Sequence, residues 1–96
     1  MLLENTTIRE VELQWNGIGD KGAKEIAAVI ERNCTLTYIG LAENMIEDEG
    51  AFSLSKALMS NIVLKQLNLY NNHFGPLGTE EMMKVKRKKL DMIIVT

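Results

Sequence analysis

Ninety-six residues are enough for one domain and too few for two. An apolar fraction of 46%, a charged fraction of 25% and a formal net charge of −2 describe an ordinary globular chain, with no strong global field to draw it to nucleic acid or an anionic membrane. No apolar run approaches the roughly 18 residues of a membrane span, and MLLENTTIRE sets no basic segment ahead of an apolar one, so neither an anchor nor a secretory leader is expected.

The first strand is expected in IREVELQWN, where apolar and other residues alternate and the run closes on Asn16. An asparagine there can satisfy backbone groups where the chain leaves the strand, because its amide both donates and accepts. A helix follows from Asp20, whose carboxylate suits the positive helix end. Gly22, Ala23, Ile26, Ala27 and Ile30 then fall at helical spacing, and Asn33 supplies the cap. The same succession returns in YIGLAEN, then from Asp48 through Gly50, Ala51, Leu54 and Leu58 to Asn61. It returns again in KQLNLYNN and a helix opening at Pro76, a residue tolerated at the first helical position. That third helix has the weaker apolar face, with Met82, Met83 and Lys86 standing where Ile26, Ala27 and Ile30 stood. KKLDMIIVT then reads as a closing strand with Leu90, Ile93 and Val95 facing inward.

A shift of 28 residues relates these units. It joins Ile8, Leu36 and Leu64; Val11, Ile39 and Leu67; Leu13, Leu41 and Leu69; Asn16, Asn44 and Asn72; Ile18, Ile46 and Phe74; and Gly22, Gly50 and Gly78. The glycines are expected to let each helix approach its neighbours. Asn5 occupies the column of Asn33 and Asn61, so residues 1–6 read as the tail of an earlier helix. Repeats are expected at about 7–34, 35–62 and 63–89, with the closing strand at about 90–96, all in one domain.

The pattern L-x-x-L-x-L-x-x-N-x-I-x-D-x-G-A-x-x-L-A-x-x-L closely resembles the ribonuclease-inhibitor class of leucine-rich repeats. Similar repeats occur in NOD-like receptors, the GTPase activator of Ran and tropomodulins. The resemblance covers residues 1–96 and implies an α/β fold: a short right-handed horseshoe arc with a parallel sheet on the concave face and helices on the convex face. Arrays of this kind usually run to more repeats with polar end caps, and neither end of this chain shows a clear cap.

Catalytic chemistry is not visible. H-E-x-x-H, C-x-x-C and G-x-x-x-x-G-K-S/T are all absent, and the glycines 28 apart form no phosphate cradle. His73 reads as an exposed loop residue and Cys34, the one cysteine, as an inert thiol between a helix and a strand. A lone cysteine fits a reducing compartment, so the cytoplasm, or the nucleus, is the expected location. Asn5-Thr6-Thr7 and Asn33-Cys34-Thr35 match the glycosylation acceptor pattern, but they occupy one repeat position with a structural explanation. No enzyme activity, cofactor or metal is expected.

The expected function is therefore binding of a partner protein. Residues between the leucines should project from the concave face: Glu10, Tyr38, Gln66 and Met92 in one column, Glu12, Gly40, Asn68 and Ile94 in a second, and Gln14, Ala42, Tyr70 and Thr96 in a third. Trp15, Glu43 and Asn71 flank the third. These positions vary between copies while the leucines do not. Partner contact is assigned to Trp15, Tyr38, Tyr70, Glu10, Glu12, Gln66 and Asn68, the aromatics first because they bury large rigid area and keep a polar group. For Trp15 the competing role is a makeshift cap on the first repeat.

Residues 1–48 hold nine acidic and four basic residues, a net of −5; residues 49–96 hold four and seven, a net of +3. The basic run Lys84, Lys86, Arg87, Lys88 and Lys89 reads as a solvated final helix rather than a nucleic-acid patch, since no aromatic residue interleaves with it. Met92 and Ile94 would stand on an open sheet edge, so self-association through the sheet edges is a second possibility. A regulator of a small GTPase or other enzyme, and a cytoskeletal scaffold, are the alternatives to the interaction module.

Overall fold

The computed structural model describes residues 8–32, 35–60 and 63–96. Its elements alternate: β1 (Glu10–Glu12), α1 (Gly19–Arg32), β2 (Tyr38–Gly40), α2 (Asp48–Ser60), β3 (Gln66–Asn68), α3 (Pro76–Lys88) and β4 (Ile93–Val95). The strands form one parallel sheet in the order β1-β2-β3-β4, and α1, α2 and α3 pack side by side as the second layer. Glu10, Tyr38 and Gln66 are in register, so the sequence shift of 28 is also the geometric repeat. The expected helix tail at 1–6, Asn5, Thr6, Thr7, Asn33, Cys34 and Asn61 lie outside the described residues.

The core lies between the layers, where the repeated leucines meet the helices. Leu36, Ile39, Leu41, Leu64, Leu67 and Leu69 are buried against Ala23, Ala27, Ile30, Leu54, Leu58 and Met82. Gly50 is also buried: a Cβ there would meet the Ile46 methyl at 2.5 Å and the Ala23 methyl at 2.9 Å, so the approach of α1 to α2 requires glycine.

Two polar ladders tie the repeats together. The Asn44 amide is fully buried; its Oδ1 accepts the N–H of Asn16 (2.8 Å) and Ile18 (3.2 Å), and its Nδ2 donates to the carbonyls of Leu13 and Ala42. Asn72 repeats this one copy on, accepting from Asn44 and Ile46 and donating to Leu41 and Leu69. The aspartates reach across copies too. Asp20 and Asp48 sit in the first turns of their own helices, as expected, yet each Oδ1 leaves its helix for the next copy. Asp20 accepts from Glu47 and Gly50, and Asp48 from Gly75 and Gly78, at 2.7–2.9 Å. Each carboxylate thus caps the positive end of the following helix.

The closing strand differs from expectation by one residue. Ile94 aligns with Leu67, a spacing of 27, and Met92 and Ile94 are buried while Leu90, Ile93 and Val95 are exposed. The cause is the turn after α3, where the Met92 N–H donates to the Lys89 carbonyl at 3.0 Å and carries Leu90 out to 84% exposure. Because the strand period is two, this slip exchanges the faces of every residue in β4. The open edge and the fourth concave positions therefore belong to Ile93 and Val95, not to Met92 and Ile94. At the same spacing Thr96 falls one residue short of the Tyr70 column, with its hydroxyl 3.0 Å from the Lys86 ammonium.

Candidate functional site

Side chains on alternate strand positions leave the core face for solvent. The first row across the sheet is Glu10, Tyr38, Gln66 and Ile93; the second is Glu12, Gly40, Asn68 and Val95. Five of the seven residues assigned to partner contact, Glu10, Glu12, Tyr38, Gln66 and Asn68, share this face. Tyr70 follows β3 and is 57% exposed; its N–H donates to Asn68 Oδ1 at 3.0 Å.

Glu12 and Tyr38 act as a pair. The Tyr38 hydroxyl donates to Glu12 Oε2 at 2.6 Å, and the two side chains close over Gly40, where a Cβ would collide with the Glu12 carboxylate. The carboxylate that accepts this proton raises the Tyr38 pKa above its ordinary value of 10.0, and burial and the charges of Glu12 and Glu10 add to the rise, against a smaller lowering by Asn68. A raised folded-state pKa means that the stabilisation is fully present below the unfolded value and is lost as the pH climbs through the folded one. Tyr38 is therefore expected to ionise at higher pH in the wild type than in Glu12→Gln, as followed by phenolate absorbance in a Tyr70→Phe background. Coincident titrations would show that the pair does not hold in solution.

Trp15 stands at the turn leaving β1 and is 74% exposed, which places it outside the core rather than packed over the first repeat. Its backbone is left-handed, with φ of 66°, as are Glu43 (59°) and Asn71 (57°) in the same repeat column. The next such column holds Gly17 (58°) and Met45 (60°). Asparagine and glycine suit that conformation, whereas tryptophan and methionine carry a cost of order 1 kcal/mol there. Together Trp15, Gly17, Glu43, Met45, Asn71 and His73 line an open depression of about 620 Å³ along the strand-to-helix turns. Asn71 Nδ2 donates to Glu43 Oε2 at 3.3 Å along its lining. Met45, 57% exposed, was not among the expected contact residues. Its signal was available: an apolar residue in a column that holds glycine in one copy and histidine in another.

The strands and turns of this side contribute acidic groups, and the Lys86 ammonium of α3 approaches it at Thr96. Residues 10–16, 38–45, 66–73 and 93–96 include Glu10, Glu12 and Glu43 and no lysine or arginine. Among the described residues no group of three or more His, Cys, Asp or Glu could hold a metal ion, and no helix is long and apolar enough to cross a membrane.

A stack of strand–helix units that buries its repeated leucines and displays its variable positions is a repeat solenoid. The sequence model of the leucine-rich-repeat family matches residues 4–27 and 32–55, and the chain belongs to that family. Its repeats are typically binding modules. No curated protein matches the chain. Among solved structures it is similar to one named as leiomodin-1 actin-binding site 2, with a TM-score of 0.89 and 26% identity over 98% of this chain. The chain covers 56% of that structure.

Proposed function

We propose that the chain is a non-catalytic protein-interaction module of the cytoplasm or nucleus, which binds its partner through the exposed sheet face. One observation carries this reading: Glu10, Glu12, Tyr38, Gln66, Asn68 and Tyr70 lie side by side on a face whose scaffold is repeated and whose surface residues differ from copy to copy. Tyr38 and Tyr70 are the anchors, because tyrosine buries rigid area at small entropic cost. The similarity to a structure named as an actin-binding site favours a cytoskeletal partner over a GTPase as the second, narrower reading, and makes actin the first protein to try.

The test compares wild type with Tyr38→Ala/Gln66→Ala/Tyr70→Ala, a variant first shown by circular dichroism and melting to keep its fold. Co-sedimentation with filamentous actin and affinity capture from a native lysate are run on both. The variant is expected to lose at least about tenfold in affinity for whatever the wild type retains, since two anchors are removed. A partner held equally by both proteins would exclude the sheet face; failure to sediment with actin would remove only the narrower reading.

A further inference from the structure

We propose that the segment received by this surface is basic and apolar, with a lysine or arginine of the partner protein seated between the Trp15 ring and the Glu43 carboxylate. The inference rests on the sheet-face reading and adds the chemistry of the occupant. Three observations support it. First, the strands and turn rim themselves contribute Glu10, Glu12 and Glu43 and no lysine or arginine; Arg9 and Lys65 precede their strands, at the opposite end from the rim, and Lys86 of α3 reaches Thr96 beside the last copy, away from Trp15. A negative surface of this kind repels phosphate and attracts an ammonium or guanidinium.

Second, Trp15 and Met45 hold large apolar groups in solvent from left-handed backbone positions that Asn71 and Gly17 fill in other copies. Neither side chain belongs to the buried core or packs against it, so the core does not account for their size. Third, Trp15 and Glu43 border one depression. An indole face attracts a cation through its quadrupole and a carboxylate attracts it through its charge, so the pair makes a two-sided seat. Met45 on the same rim offers a flexible apolar contact for the residue beside it. Nucleic acid and anionic membranes are disfavoured by the same negative surface that favours a basic peptide.

Trp15 is the sole tryptophan, so its emission reports occupancy directly. The probes are three synthetic peptides of alternating leucine with arginine, with glutamine, or with glutamate. The arginine peptide is expected to shift Trp15 emission saturably and to bind more weakly at high salt; Glu43→Gln should weaken it about fivefold or more, and Met45→Gly should weaken it while leaving the fold intact. The glutamate peptide should not bind. Equal binding of the glutamine or glutamate peptide, or indifference to Glu43→Gln, would overturn the proposal. So would an emission change that follows protein concentration without peptide, which would make a second copy the occupant. If the peptides fail while the triple variant still releases its partner, the occupant's chemistry is wrong and the sheet-face reading stands.

Discussion

Asn44→Ala is expected to destabilise the domain by about 3–5 kcal/mol, as read from the shift of the urea unfolding midpoint at unchanged slope. The amide is fully buried and serves four backbone groups: the N–H of Asn16 and Ile18, and the carbonyls of Leu13 and Ala42. Truncation leaves these groups without partners where the chain turns from strand to helix, at roughly 1–3 kcal/mol for each one that water cannot reach. Some of them lie near the surface and rehydrate, which holds the total below the full sum. A chain of this length is stable by only about 5–14 kcal/mol, so the loss is a large part of the whole. Asn16→Ala is the matched control. Asn16 is exposed and its side-chain Nδ2 donates to the nearby carbonyls of Leu13 and Gln14, so loss of the side chain should cost about 1 kcal/mol. Equal effects at the two positions would mean that the ladder between repeats contributes nothing beyond a local turn.

That contrast separates what the sequence shows from what it hides. The asparagine column is legible as a polar residue at a turn, because local chemistry puts it there. That Asn44 reaches back to Asn16 and Ile18 is not legible until the copies are stacked, since the bonds span 26 and 28 residues. Asp20 and Asp48 follow the same logic: a carboxylate in a first turn predicts its own helix, and only stacking reveals that it caps the next one. The left-handed rim is half legible. Asn71 and Gly17 hint at positive φ, but Trp15, Glu43 and Met45 in the same columns argue against it on local preference, and the surrounding turn overrides them.

The closing strand shows a different limit. Leu90, Ile93 and Val95 reproduce the leucine spacing, while Met92 and Ile94 offer a second apolar frame one residue away, and composition alone does not choose between them. Backbone geometry does, through the turn from Lys89 to Met92.

Aspartate substitutions at two adjacent residues therefore separate the frames. Ile94→Asp should destabilise the protein by about 3 kcal/mol, because Ile94 is 7% exposed and packs with Leu67 and Leu69, where a carboxylate finds no partner. The loss has a ceiling. β4 lies at the edge of the described sheet, so it can separate from β3 and hydrate the charge, forfeiting the burial of Met92 and Ile94 rather than keeping an ion in the core. Ile93→Asp should change stability by no more than about 0.5 kcal/mol, since that side chain is 59% exposed in the row of Glu10, Tyr38 and Gln66. Its effect belongs to recognition instead. A fourth carboxylate on the sheet face and its rim should strengthen binding of a basic segment and leave the melting temperature where it was, whereas a frame with Ile93 inward requires the opposite pairing of effects. Amide exchange completes the distinction: in Ile94→Asp, protection of the Leu69 N–H, which donates to the Val95 carbonyl, should fall together with that of β4, while the β1–β2 ladder keeps its protection.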